Sequence, residues 1–94
     1  MTQRANGSVV VRHEVGMHAR PSVKLTQLAK SFASKIDLGV SADGPWIDAK
    51  SIVKVMRTRT PKDAVLHIRA EGADATSAVR ALIELIERDF ELET

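Results

Sequence analysis

Ala64-Val65-Leu66-His67-Ile68-Arg69-Ala70-Glu71-Gly72-Ala73-Asp74-Ala75 changes its periodicity part-way along, and that change decides the fold. From Ala64 to Ala70 the apolar residues alternate, with Leu66, Ile68 and Ala70 on one face and Val65, His67 and Arg69 on the other, the period of a strand. Gly72-Ala73-Asp74 ends that strand and offers Asp74 as a helix cap. Beyond it Ala75, Ala78, Val79, Leu82, Ile83 and Ile86 recur at i, i+3, i+4, i+7, i+8 and i+11, the strongest helical stripe in the chain. A strand and a helix that each carry one apolar face must cover one another.

The same two periods recur upstream. Val9-Val10-Val11-Arg12-His13 is short and β-branched and reads as a first strand. Leu25, Leu28, Ala29 and Phe32 predict a helix from Ala19 to Phe32. Lys35–Val40 alternates, with Ile36, Leu38 and Val40 on one face. Asp43-Gly44 is a hairpin signal, and Trp46-Ile47-Asp48 is the returning strand. Asp48 is placed to cap a brief helix over Ala49–Met56, with Ile52, Val55 and Met56 as its apolar face. The order β-α-β-β-α-β-α, with one apolar face per strand and helices as cover, predicts a two-layer α+β domain. The predicted core is Val9, Val11, Leu25, Leu28, Phe32, Ile36, Leu38, Ile47, Ile52, Leu66, Ile68, Val79, Leu82, Ile83 and Ile86. The 94 residues suit one domain, 1–94, with an expected ordered core over about residues 8–88.

Composition narrows the function classes. There is no Cys, which excludes disulfides, cysteine-ligated metals and thiol nucleophiles. His13, His18 and His67 lie on separate elements without a neighbouring acid pair, so no metal-site pattern is present. No G-x-x-x-x-G-K-[ST] loop occurs, and no apolar run approaches the roughly 18 residues of a membrane span. The opening residues lack the apolar stretch of a signal peptide, so a cytoplasmic chain is expected. The net charge of +2 is uneven: residues 84–94 carry −4 and residues 1–83 carry +6. Lys50, Lys54, Arg57, Arg59 and Lys62 form a basic stretch without an acid, suited to phosphate or an acidic protein surface. Only Phe32, Trp46 and Phe90 are aromatic, and none interleaves with those bases, which argues against nucleic acid.

The chemistry concentrates in Gly16-Met17-His18-Ala19-Arg20-Pro21-Ser22, between a strand end and a helix start. His18 falls at the predicted N-cap, ahead of first-turn N–H groups, and Pro21 suits that first turn because its missing donor has no helical partner to lose. Arg20 has the wrong sign for a helix N-terminus, a cost of about 0.3–1 kcal/mol that is offset if an anion visits the spot. The same field disfavours an imidazolium, so His18 is expected to tend towards its neutral, nucleophilic form.

These residues resemble the active-site signature of the HPr family, the histidine-containing phosphocarriers of the bacterial phosphotransferase system, which usually reads Gly-Leu/Ile-His-Ala-Arg-Pro-Ala. Lys50-Ser51-Ile52-Val53-Lys54-Val55-Met56 is similar to a second family segment, and Ala70-Glu71-Gly72-Ala73-Asp74 to a third, in family order and spacing. The resemblance implies an open-faced sandwich, a four-stranded antiparallel sheet with three helices on one side. It implies a carrier rather than an enzyme, without cofactor or metal and expected as a monomer. His18 would take a phosphoryl group on Nδ1 from phosphoenzyme I and pass it to an EIIA-type protein, with Arg20 steadying the phosphoryl oxygens. Ser51 matches a serine that an HPr kinase/phosphorylase modifies in many relatives, though others keep it without that regulation. Met17, Ile52, Lys54, Val55, Met56 and Arg57 would form the docking surface for these partners; Ile52 and Val55 are equally readable as core, and of the three apolar residues of the short helix Met56 is expected to be the exposed one. Ser22 replaces the usual Ala, and the docking region is more basic than in a generic relative. An alternative is a regulatory binding module of the same fold, serving a nitrogen-related or kinase-linked relay.

Overall fold

Leu66, Ile68 and Ala70 are buried while Val65, Arg69 and Glu71 are exposed, so the alternation seen in the sequence places one face of this strand on the core. The computed structural model describes residues 3–11, 19–41, 43–57 and 63–88, with the backbone alone at 19–21. The elements are β1 (Gln3–Val10), α1 (Ala19–Lys30), β2 (Lys35–Gly39), β3 (Trp46–Asp48), α2 (Ile52–Arg57), β4 (Val65–Gly72) and α3 (Ala75–Glu87). The strands form one antiparallel sheet in the order β1-β4-β2-β3. Inward side chains of the sheet meet Leu25 and Ala29 of α1, Val55 of α2, and Ala78, Val79, Leu82, Leu85 and Ile86 of α3. Each fully buried Leu, Ile or Val contributes about 1.5–3 kcal/mol. The opposite face of the sheet is open, as expected for an α+β open-faced sandwich.

On that open face charges alternate along the register. Glu71 lies between Arg4 of β1 and Lys35 of β2, and Arg69 between Asn6 and Asp37. Arg69 pairs with Asp37 at 3.2 Å and stacks on Trp46, 4.1 Å from the ring centroid. Asp37 is therefore buried with its charge compensated.

Several boundaries differ from the sequence reading. The first strand begins at Gln3 rather than Val9, ahead of the expected ordered core, because all eight residues of β1 pair with β4, from Gln3↔Gly72 to Val10↔Val65. Asn6 and Gly7 are poor strand formers locally, and the partner strand overrides them. Gly7 also lets α3 approach, since a Cβ there would lie 2.6 Å from Ile83 Cδ1. Val11 follows the strand, fully buried, donating to Ala64 O at 2.9 Å and accepting from the Asp63 amide at 2.6 Å. Arg12 and His13 of the predicted strand lie outside the described residues.

α1 stops at Lys30 instead of Phe32. Its last turn tightens as the Ser31 and Phe32 amides donate to Leu28 O and Ala29 O, and Lys50 Nζ donates to Phe32 O at 2.8 Å. Val40 is exposed rather than inward because β2 ends at Gly39. Leu85, absent from the predicted stripe, is buried, whereas Ile83 is half-buried, as are Leu28, Phe32 and Ile47.

α2 starts at Ile52, three residues after the expected start, and Asp48 is not its cap. The Ala49 amide is committed to Ile36 O at 2.9 Å, and Asp48 Oδ1 accepts from the Lys50 amide in a tight turn. Ser51 takes the capping role, its Oγ accepting from the Lys54 amide at 3.3 Å. Asp74 likewise makes no side-chain cap to α3 although it sits at that position. Its carboxylate accepts from the Ala33 and Ser34 amides, each at 2.9 Å, and from the Ser34 hydroxyl. The hydroxyl of Ser34 first, then the Ala33 amide, hold the Asp74 carboxyl below the usual carboxylate range. This clamp ties the α1–β2 turn to the β4–α3 turn.

Candidate functional site

Two elements carry the residues singled out in the sequence. α1 begins at Ala19, the residue after His18 in the chain. Its first turn contains no acid, and Pro21 within it supplies no N–H. The amides of a first turn lack intrahelical acceptors and present the positive end of the helix dipole. Twelve residues make α1 long enough to have such an end. His18 and Met17 lie outside the described residues, and Arg20 is described in its backbone only. Ser22, the departure from the family's usual Ala, is fully buried. One turn further on, Thr26 is also buried, and among the described residues its Oγ1 has no hydrogen-bond partner.

α2 carries the second group. Ser51 is half-buried at its cap, Ile52 is half-buried, and Lys54, Met56 and Arg57 are exposed. Met56 exposes 39% of its surface, as the sequence reading anticipated. Of the two readings of Val55, docking or core, the structure supports the second and corrects the first: it is fully buried in the core and cannot touch a partner. Val53, which the sequence reading passed over, is 57% exposed. The signal for it was present, because at 100° per residue a helix that turns Val55 inward turns Val53 outward. Lys54 and Arg57 fall in the last turn of α2, where the dipole favours cations. Of the basic stretch, Lys50 is turned to the end of α1, and Arg59 and Lys62 lie outside the described residues.

Residues 5–88 match the family described as the PTS HPr component phosphorylation site. The chain belongs to the HPr family. Among curated relatives, it is 36% identical over 86 residues to the phosphocarrier protein HPr of Xylella fastidiosa strain 9a5c, covering 92% of this chain and 94% of the relative. It is 38% identical over 78 residues to that of Cupriavidus necator, covering 83% and 85%. The fold superimposes on HPr-C-His from Thermoanaerobacter tengcongensis with a TM-score of 0.81 at 32% identity, over 96% of this chain and 99% of that one. For the HPr of Bacillus anthracis Ames the values are 0.76 and 30%, over 88% and 96%. The four-stranded open sheet with three helices is thus the HPr architecture, and the chain joins the phosphocarriers of the phosphotransferase system. Among the described residues no helix is long and apolar enough to cross a membrane.

Proposed function

We propose that this HPr-family chain carries a phosphoryl group on His18, received from phosphoenzyme I and delivered to an EIIA-type protein in the cytoplasm. The observation that carries the reading is the start of α1 at Ala19, which puts a first turn without acids directly after His18 in the chain. In the transfer a neutral ring nitrogen of His18 attacks phosphorus, a P–N bond forms, and the bond from phosphorus to enzyme I breaks. The imidazole proton is shed to water, and delivery reverses these steps on the next protein. The chain is itself the covalent intermediate. Arg20, in the first turn, supplies a guanidinium fork matched to phosphoryl oxygens, and the first-turn amides add their partial charge.

Under the same reading Met17, Ile52, Val53 and Met56 supply apolar contact to enzyme I and EIIA, and Lys54 and Arg57 a charged rim. Ser51 is the second modifiable residue, a substrate for an HPr kinase/phosphorylase where one is present. Its half-buried hydroxyl at the α2 cap supports this, because an added phosphate there meets a helix start while altering the docking surface.

The test is phosphotransfer from phosphoenolpyruvate through purified enzyme I, read by intact mass. The chain should gain one acid-labile, alkali-stable phosphoryl group, His18→Ala should gain none, and Arg20→Ala should slow transfer at unchanged thermal stability. Labelling retained in His18→Ala ends the proposal, and no transfer from any enzyme I favours the regulatory binding module instead.

A further inference from the structure

α3 runs in the same direction as β1. Ala5 and Asn6 share a groove with Thr76 and Val79, Gly7 lies under Val79 and Ile83, and Val9 and Val10 share a second groove with Glu87. The first groove, about 400 Å³, also reaches Glu87, so it follows α3 from its first turn to its last. Successive strand residues point to opposite faces, so a groove touched by both Ala5 and Asn6 lies along the outer edge of β1. That edge is eight residues long, with one charge, no Pro and an unbroken register with β4. Proteins ordinarily guard such an edge with charges, Pro, a bulge or a covering segment. Arg88 closes α3 by donating its amide to Glu84 O at 3.0 Å, and Asp89-Phe90-Glu91-Leu92-Glu93-Thr94 follows it in the sequence. Two apolar residues alternate with three acids there, the period of a half-buried strand.

We propose that residues 89–94 return antiparallel along the outer edge of β1, extending the sheet by one short strand, with Phe90 and Leu92 in the groove beside α3. The end of α3 sets the register. Arg88 and Asp89 reverse the chain, a usual length for a helix-to-strand connection. Because Glu87 stands beside Val9 and Val10, Phe90 then falls opposite Val9, Leu92 opposite Gly7 and Glu93 opposite Asn6. Opposed residues of an antiparallel pair share a face. Val9 is buried and Gly7 lies under α3, so Phe90 and Leu92 turn towards Val79 and Ile83. Gly7 has no side chain to obstruct Leu92, and Ile83 is only half-buried without it. The acids face the other way. Glu91 and Glu93 stand beside Ser8 and Asn6 on the open face, away from Glu84 and Glu87 of the groove, and Glu93 is one diagonal from the exposed side chain of Arg4. Residues 89–94, fully extended, span about 20 Å, enough to run from Val10 to Ala5. α2 packs by β3 at the far edge of the sheet, so the tail leaves it uncovered.

NMR of the full chain at about 0.1 mM and about 1 mM tests the placement. The Phe90 ring and the Leu92 methyls should show contacts to the methyls of Val79 and Ile83, equally at both concentrations. The β1 amides that β4 leaves free should exchange slowly. Phe90→Ser and Leu92→Ser should each speed that exchange by about ten-fold or more, and Glu91→Ser, on the opposite face, should leave it unchanged. Unaltered exchange in β2 and β4 checks that each variant is folded. Free exchange of those β1 amides in the parent chain overturns the inference, as do Phe90 contacts to Val10 and Val65, which would carry the tail onto the open face instead. Protection that grows with concentration also overturns it, since a second chain would then occupy the edge. So does a Glu91→Ser variant that exchanges as fast as Leu92→Ser.

Discussion

Gly72→Ala adds one methyl group at a position where neither the backbone nor the neighbours admit it. Gly72 has φ of 152°, a conformation L side chains rarely adopt, and a Cβ there would lie 2.5 Å from Ser34 Oγ, 2.7 Å from Ser34 Cα and 2.8 Å from Ser34 Cβ. Ser34 cannot yield, because it is buried and Asp74 holds both its amide and its hydroxyl. The backbone conformation costs about 1–3 kcal/mol and the overlap about 1–3 kcal/mol more. The expected loss is therefore about 2–6 kcal/mol out of a total of about 5–15. Gly7→Ala is the control for the same chemical change. Its methyl would meet the far end of Ile83, a half-buried side chain that can rotate away, and Val79 Cγ1 at 2.9 Å. The reduced freedom of the unfolded chain returns about 0.4–1 kcal/mol, leaving a net loss of about 1 kcal/mol. Urea unfolding followed by the single Trp46 measures both. A Gly72→Ala variant that loses less than about 1 kcal/mol, or no more than Gly7→Ala, would refute this account of the turn.

Three further outcomes follow from single contacts. Thr26→Val replaces a buried hydroxyl that has no partner among the described residues with a methyl of similar shape, and should raise stability by about 1–2 kcal/mol in the same urea assay. A loss would show that the hydroxyl is satisfied. Asp74 has a folded pKa below its ordinary 3.8, so its contribution is fully present above the unfolded value and fades as pH falls through the folded one. The stability gap between the parent chain and Asp74→Ala should narrow below about pH 4, and a gap independent of pH counts against the clamp. Val55→Ala should cost about 2–3 kcal/mol by emptying a core site, whereas Met56→Ser and Val53→Ser should leave thermal unfolding almost unchanged and weaken enzyme I binding. Equal thermal losses for all three would place Val53 and Met56 in the core as well.

How much of this was legible depended on whether a residue's neighbours were local. The β4–α3 unit was read from the sequence almost residue for residue, because alternation and the 3.6-residue stripe are properties of the segment itself. Gln3–Ser8 was invisible as a strand because its reason for being extended is a partner some sixty residues away in the chain. Asp48 and Asp74 both stood where caps are expected, and both carboxylates went elsewhere, to the Lys50 amide and to the α1–β2 turn. Composition names the acceptor; only tertiary structure assigns the donor. The site divided in the same way. The His18 signature and Ser51 were local motifs, while the inward turn of Val55 and the exposure of Val53 depended on α2 starting at Ile52.

α2 shows why that start matters for function. Six residues are too few to hold a helix by propensity, so α2 exists because Val55 is inserted in the core, Ser51 caps it, and the Asp48 turn delivers it from β3. Lys50 fastens the same lead-in to the last turn of α1 through Phe32 O. Lys50 thereby ties the helix that Ser51 caps to the end of the helix that begins beside His18 in the chain, and the two helices pack against each other. A phosphate added at Ser51 enters this capping arrangement directly, since Ser51 Oγ is the atom that accepts the Lys54 amide. Modification there both places charge on the proposed docking surface and replaces the cap that holds its helix, so effects on partner affinity and on α2 order should arise together.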